Sequence, residues 1–239
     1  DTCAKNGVNE IIEIKIGYDG LTVAESKAGK FTNITKEQLW NALAKQIPDA
    51  SGNLIPNPYK TWNQIDAKLP ATKIEVLGPP PTSGTRDSFH ELFMEAGCPF
   101  DDKKKCHLIR EDGAYVEAGE NDNLIVQKLV GNKNALGIFG YSFLEENADR
   151  IKALKIDGIA PTFETISSAK YTAARPLFVY IKKAHIGVIP GLKEFAEEYV
   201  SNKAIGEEGY LSDRGLVSLD SSELAQVRKD VKVMKNFKP

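Results

Sequence analysis

The chain of 239 residues carries 31 Lys+Arg against 33 Asp+Glu, a formal net charge of −2. Apolar residues make up 41% and charged residues 27%, the balance of a folded globular protein with room for one large domain or two lobes and a sizeable core. This balance leaves no broad basic face for nucleic acid, and no apolar run approaches the ~20 residues of a membrane helix.

The opening Asp-Thr-Cys-Ala-Lys-Asn is not a signal peptide; one removed earlier would leave no trace, so this does not fix the compartment. Residues 11–23 combine a β-rich run (Ile11, Ile12, Ile14, Ile16) with Gly17 and Gly20, and read as a strand with a break. Thr35, then Glu37 and Gln38, then Leu39, Trp40 and Leu43 predict a capped amphipathic helix. Residues 49–63, rich in Pro, Asn and Gly, read as loop, and residues 73–77 as a short strand. Gly78-Pro79-Pro80-Pro81 stops that strand and keeps the chain extended.

Residues 82–96 predict a helix whose buried stripe is Phe89, Leu92, Phe93 and Ala96, at i, i+3, i+4 and i+7. Glu120-Asn121-Asp122-Asn123 opens a second helix, and residues 135–143 and 176–181 read as strands. After Pro190-Gly191, Leu192, Phe195, Ala196 and Tyr199 line another amphipathic helix. Strands alternating with helices, without internal repeat or long linker, point to the α/β class.

Cys98 and Cys106 bracket a short polar loop and read as a disulfide hairpin, which implies an oxidising compartment; two free thiols are the competing reading. A metal pair is disfavoured because only His107 lies beside them. Cys3 is left over, and a partner outside this chain is one explanation.

The segment richest in chemistry is Ser83-Gly84-Thr85-Arg86 at a helix start. A helix N-terminus leaves backbone N–H groups unpaired and favours an anion. Gly84 lets the backbone approach a ligand, Ser83 and Thr85 add hydroxyls, and Arg86 adds a planar positive charge. The set suits a tetrahedral oxyanion, and lacks the Gly-x4-Gly-Lys-Ser/Thr spacing of a nucleotide loop. The alternative is that Ser83 or Thr85 merely caps the helix while Arg86 pairs with Asp87 or solvent. Asn121 and Asn123 can face a ligand at their own helix start, though capping is their ordinary role. Asp87 is a candidate to orient the Arg86 guanidinium from behind, against the alternative of a solvated carboxylate.

Catalytic readings are weaker. His90, His107 and His185 have no metal-ligand spacing, His90 falls off the Phe89/Phe93 stripe and reads as a surface residue, and no Gly-x-Ser-x-Gly elbow is present. No catalytic residue, metal or cofactor is therefore assigned.

Residues 78–89, 112–129 and 134–144 together resemble, in order and spacing, the substrate-binding protein of the bacterial high-affinity phosphate ABC transporter. The resemblance continues through residues 175–185 and 209–216. It implies a bilobal periplasmic-binding-protein fold (type II-like), with two α/β lobes joined by crossing strands and inorganic phosphate between them. By that resemblance residues 1–20 are a remnant of the first lobe and the first crossing. Residues 21–174 are the second lobe with the phosphate-binding loop, and residues 175–239 the second crossing and the C-terminal part of the first lobe.

Family members begin with a further segment of the first lobe that has no match here, so the first lobe is expected to be incomplete. An N-terminal fragment of the same protein is then a candidate partner, and Cys3 a candidate to pair with it. Some members carry their phosphate-binding arginine upstream of Ser-Gly-Thr, where this chain has prolines, which makes Arg86 the candidate in this loop. The carboxylate that accepts the phosphate proton lies in the first lobe of the family, with Asp87 a weak stand-in. The implied function is an extracytoplasmic, non-enzymatic receptor, periplasmic or otherwise, delivering phosphate to an ABC permease. The alternatives are a receptor for another tetrahedral oxyanion and a phosphatase using the same anion cradle.

Overall fold

Inward-pointing Ile12, Ile14 and Ile16 continue through Tyr18 into Leu21 and Val23, so this stretch forms one unbroken strand, Ile11–Ser26, in a computed structural model that describes residues 2–237. The break expected at Gly17 and Gly20 is not there. Gly17 serves close packing instead: a Cβ at this position would lie 2.7 Å from the Val217 carbonyl oxygen.

The chain divides into two compact units. The larger contains Gly20–Thr165 and Lys170–Ala174; the smaller contains residues 2–19, Ile166–Ala169 and 175–237.

In the larger unit, Leu136–Gly140 pairs antiparallel with the end of the long strand, Leu21 opposite Gly140. Val76–Gly78 runs parallel to Leu136–Gly140 on one side and to Tyr115–Glu117 on the other. Each parallel strand leads into a helix: Gly84–Phe89, Asp122–Gly131 and Tyr141–Glu146. Trp40, Phe89, Phe93, Ile125, Leu129, Ile138 and Phe139 fill the space around the sheet and are all 0–1% exposed. Burying a side chain of that size stabilises by roughly 1.5–3 kcal/mol, so these residues dominate the unit's core. The helix expected after Thr35 is Lys36–Leu43: Thr35 Oγ1 accepts from the Gln38 N–H, and the Gln38 side chain accepts from the Thr35 N–H.

Three local expectations are corrected. Residues 49–63 are not all loop, because Leu54–Pro56 pairs antiparallel with Gln46–Pro48 around a turn pinned by Asp49 Oδ1. The strand expected over 135–143 ends at Gly140, and Tyr141–Phe143 belong to the next helix, where Tyr141 and Leu144 bury the same face. The helix after Ser83 is α only to Phe89; His90–Glu95 is a π-helical turn. The wider turn rotates the buried stripe, so Met94 is buried while Ala96 is exposed.

In the smaller unit, Ala174–Lys182 lies beside the long strand, with the Lys183 N–H donating to Glu10 O and the Tyr180 hydroxyl to Glu13. Ser221–Lys232, capped by Asp220, brings Glu223 to Lys15 and Tyr18. Leu192–Tyr199 is helical as expected, but of its expected stripe only Ala196 is fully buried and Phe195 is 53% exposed. Among the described residues no helix is long and apolar enough to cross a membrane.

Candidate functional site

The parallel strands Val76–Gly78, Tyr115–Glu117 and Leu136–Gly140 end at one edge of the larger unit's sheet. The following loops therefore place three helix N-termini along that edge, at Gly84, Asp122 and Tyr141. In open α/β sheets ligands sit outside the carboxyl ends of the strands, and helix N-termini there favour an anion. Thr82 Oγ1 donates to Glu120 Oε1 over 2.6 Å and ties the first two loops together.

Ser83 is the N-cap, its hydroxyl oxygen accepting from the Thr85 N–H at 3.2 Å. The Gly84 N–H and the Thr85 hydroxyl have no partner among the described residues. A Cβ at Gly84 would meet nothing within 4 Å, so the space beside this backbone is open. Asn121 likewise accepts from the Asn123 N–H at 3.0 Å, a capping bond, and Asn123 is exposed.

Arg86 is 8% exposed. Its Nη1 donates to Pro79 O at 3.0 Å and its Nε to His90 Nε2 at 3.0 Å. The guanidinium carbon lies 4.5 Å from the Tyr115 ring centroid, and Glu117 is 3.9 Å from Nη1. Tyr115 donates its own hydroxyl to Pro79 O at 2.7 Å, and burial pushes that phenol up to about 12. The Pro79 carbonyl thus collects two side-chain donors and fixes the extended approach to the Ser83 turn.

Asp87 does not orient Arg86. It points outward and makes no hydrogen bond or ion pair with the guanidinium, because the helix turns it away from Pro79. The expectation of a surface His90 is also corrected. His90 is half-buried, its Nδ1 is buried without a hydrogen bond, and burial, then the Arg86 and His107 charges, hold its pKa at about 4. The His107 ring lies 4.6 Å from that of His90, centroid to centroid and tilted by 45°, and places Nε2 2.7 Å from Glu95, which also pairs with Lys103.

Beside Arg86 opens a cleft of about 630 Å³, lined among others by Pro81, His107, Arg110, Tyr115 and Glu117. Arg110 is satisfied by Asn57 O, Tyr59 O and Asp112 and is structural. Cys98 and Cys106 form a disulfide, and Cys3 is exposed and free. Among the described residues, no group of three or more His, Cys, Asp and Glu is placed to hold a metal.

Sequence reasoning missed Pro79, His90, Tyr115 and the Tyr141 helix start. Only the i, i+4 spacing of Arg86 and His90 could have hinted at any of them.

A family model described as a PBP superfamily domain matches residues 1–203. The phosphate-binding protein PstS of Staphylococcus haemolyticus is 30% identical over 226 residues, covering 92% of this chain and 62% of that protein. The chain thus spans about three-fifths of the length of such curated relatives. Among solved structures, one described as a possible phosphate binding protein from Planctomyces limnophilus is 28% identical with a TM-score of 0.74, covering 97% of this chain and 75% of its own. PstS from Borrelia burgdorferi, 21% identical, shares the fold with a TM-score of 0.64 over 88% of this chain and 73% of its own. A sheet edge crowned by helix N-termini and a family match over most of the chain agree: this chain belongs to the PBP superfamily.

Proposed function

We propose that this protein is an extracytoplasmic receptor that binds inorganic phosphate and delivers it to an ABC permease. The observation that carries this reading is the Ser83-Gly84-Thr85 turn, which offers a backbone N–H and a hydroxyl without a partner among the described residues, at an edge where three helices begin. Arg86 lends positive charge and holds the loop through Pro79. Relatives whose printed names are phosphate-binding proteins support phosphate over other oxyanions. The disulfide supports an oxidising, extracytoplasmic setting.

The division into a first lobe, represented by residues 1–20 and 175–239 with the two crossings, and a second lobe of residues 21–174 with the phosphate loop is part of this proposal. Titration calorimetry of the full chain with phosphate and sulfate tests the reading. Saturable phosphate binding that sulfate does not displace supports it. Preferred binding of sulfate or another oxyanion would move the assignment to a related receptor, and turnover of p-nitrophenyl phosphate would favour a phosphatase.

A further inference from the structure

Arginine Nε carries a hydrogen and has no acceptor capacity. At 3.0 Å from it, His90 Nε2 must therefore accept, which puts the single imidazole proton on Nδ1. His90 is also where the helix widens from α to π, and its backbone N–H is shared between Arg86 O and Asp87 O. The i, i+4 spacing sets the imidazole alongside the guanidinium, and the π-helical turn begins at this same residue; π turns recur at functional sites. Three contacts then fix the plane of Arg86: Pro79 O on Nη1, the Tyr115 ring on its face and His90 on Nε.

We infer that His90 is the positioning residue that aims Arg86 at the anion, and that it does so only while its imidazole is uncharged. The inference rests on the phosphate reading of the Ser83–Arg86 turn. Protonating Nε2 would set two donors against each other and bring a second positive charge beside the first. The groups facing the imidazole are Arg86 and Asp87 from its own helix, Glu95 from the π-helical turn and His107 from the residue after Lys103–Cys106. Arg86 and His107 oppose its protonation, Asp87 and Glu95 favour it, and burial tips the balance toward the uncharged ring.

The test is phosphate calorimetry on the full chain from roughly pH 4 to 6, where free phosphate keeps one protonation state and histidines titrate. Wild-type affinity is expected to fall toward the acid end. His90→Leu, which removes the acceptor, should weaken binding about tenfold at pH 6. His90→Gln offers a non-titrating amide oxygen and should restore affinity to within about threefold and flatten the acid fall. Circular dichroism melts of each variant check that folding is retained.

Separately, ¹⁵N NMR of the imidazole should find the Nδ1–H form at pH 6. An Nε2–H or charged ring there overturns the inference whether or not phosphate binds. If His90→Leu binds as wild type while Arg86→Ala does not, the positioning role fails and the phosphate reading survives. If the wild type binds no phosphate, the phosphate reading fails and this inference falls with it.

Discussion

The Tyr115 hydroxyl donates to the Pro79 carbonyl over 2.7 Å, and Gly78 leaves the room for it: a Cβ on Gly78 would lie 2.3 Å from that hydroxyl. Residue 78 is thus glycine because a ring from the neighbouring strand crosses its face, and the ring anchors the loop that precedes the candidate anion site.

Gly78→Ala should destabilise the protein by about 1–3 kcal/mol through overpacking, with weaker phosphate binding as the Pro79 loop shifts. Tyr115→Phe, which loses one buried hydrogen bond but keeps the ring under Arg86, should cost only about 1 kcal/mol. Urea unfolding of both variants checks the order; an alanine at 78 as stable as wild type would contradict the packing account.

Arg86→Ala should weaken phosphate binding by tenfold or more, since a hydrogen bond to a charged group is worth about 1.5–3 kcal/mol. It also removes a donor from Pro79 O and leaves the Tyr115 face uncovered, so the melt should drop as well. Calorimetry decides the point; unchanged affinity in a folded variant would take Arg86 out of the site.

A non-reducing peptide map should recover Cys98 joined to Cys106 and Cys3 alkylated in the unreduced protein. Replacing both bridge cysteines with Ser should cost roughly 2–3 kcal/mol, the loop-entropy expectation for so short a loop. Three alkylatable thiols in the native protein would contradict the bridge and the oxidising compartment with it.

The hydrogen bond from Arg110, with help from Lys60, holds Asp112 well below the usual carboxylate range. A folded pKa below the unfolded one gives stability that is full above about pH 4 and fades as the pH falls further. Asp112→Asn should therefore be less stable than wild type at pH 7, by only about 1 kcal/mol because Asp112 itself is 42% exposed and solvent screens its pairing with the buried Arg110, and the gap should narrow below about pH 4. Guanidinium titrations at several pH values read this out; a gap that stays constant into acid would rule out the ion pair as its source.

The α/β class, the Thr35 capping box, the Ser83-Gly84-Thr85 helix start and the Cys98–Cys106 pair were legible in the sequence because each depends on residues close together in the chain. Capping, turn chemistry and short-loop closure are local physics. The uninterrupted strand through Gly17 was not legible, since what that glycine avoids is the backbone at Val217, 200 residues away. Nor was the π-helical turn at His90, whose altered stripe is selected by packing around Met94 rather than by helix propensity. In the sequence Arg86 read as a planar positive charge for an anion, with Asp87 a candidate to orient it. Only when strand pairing brought Tyr115 and Pro79 together did a buried slot exist for its guanidinium, with His90 as the remaining acceptor. The sequence by itself determined the local frame of the candidate anion site, and the tertiary structure decided which way its charge is held, because only long-range contacts bury an arginine and supply the acceptors it needs there.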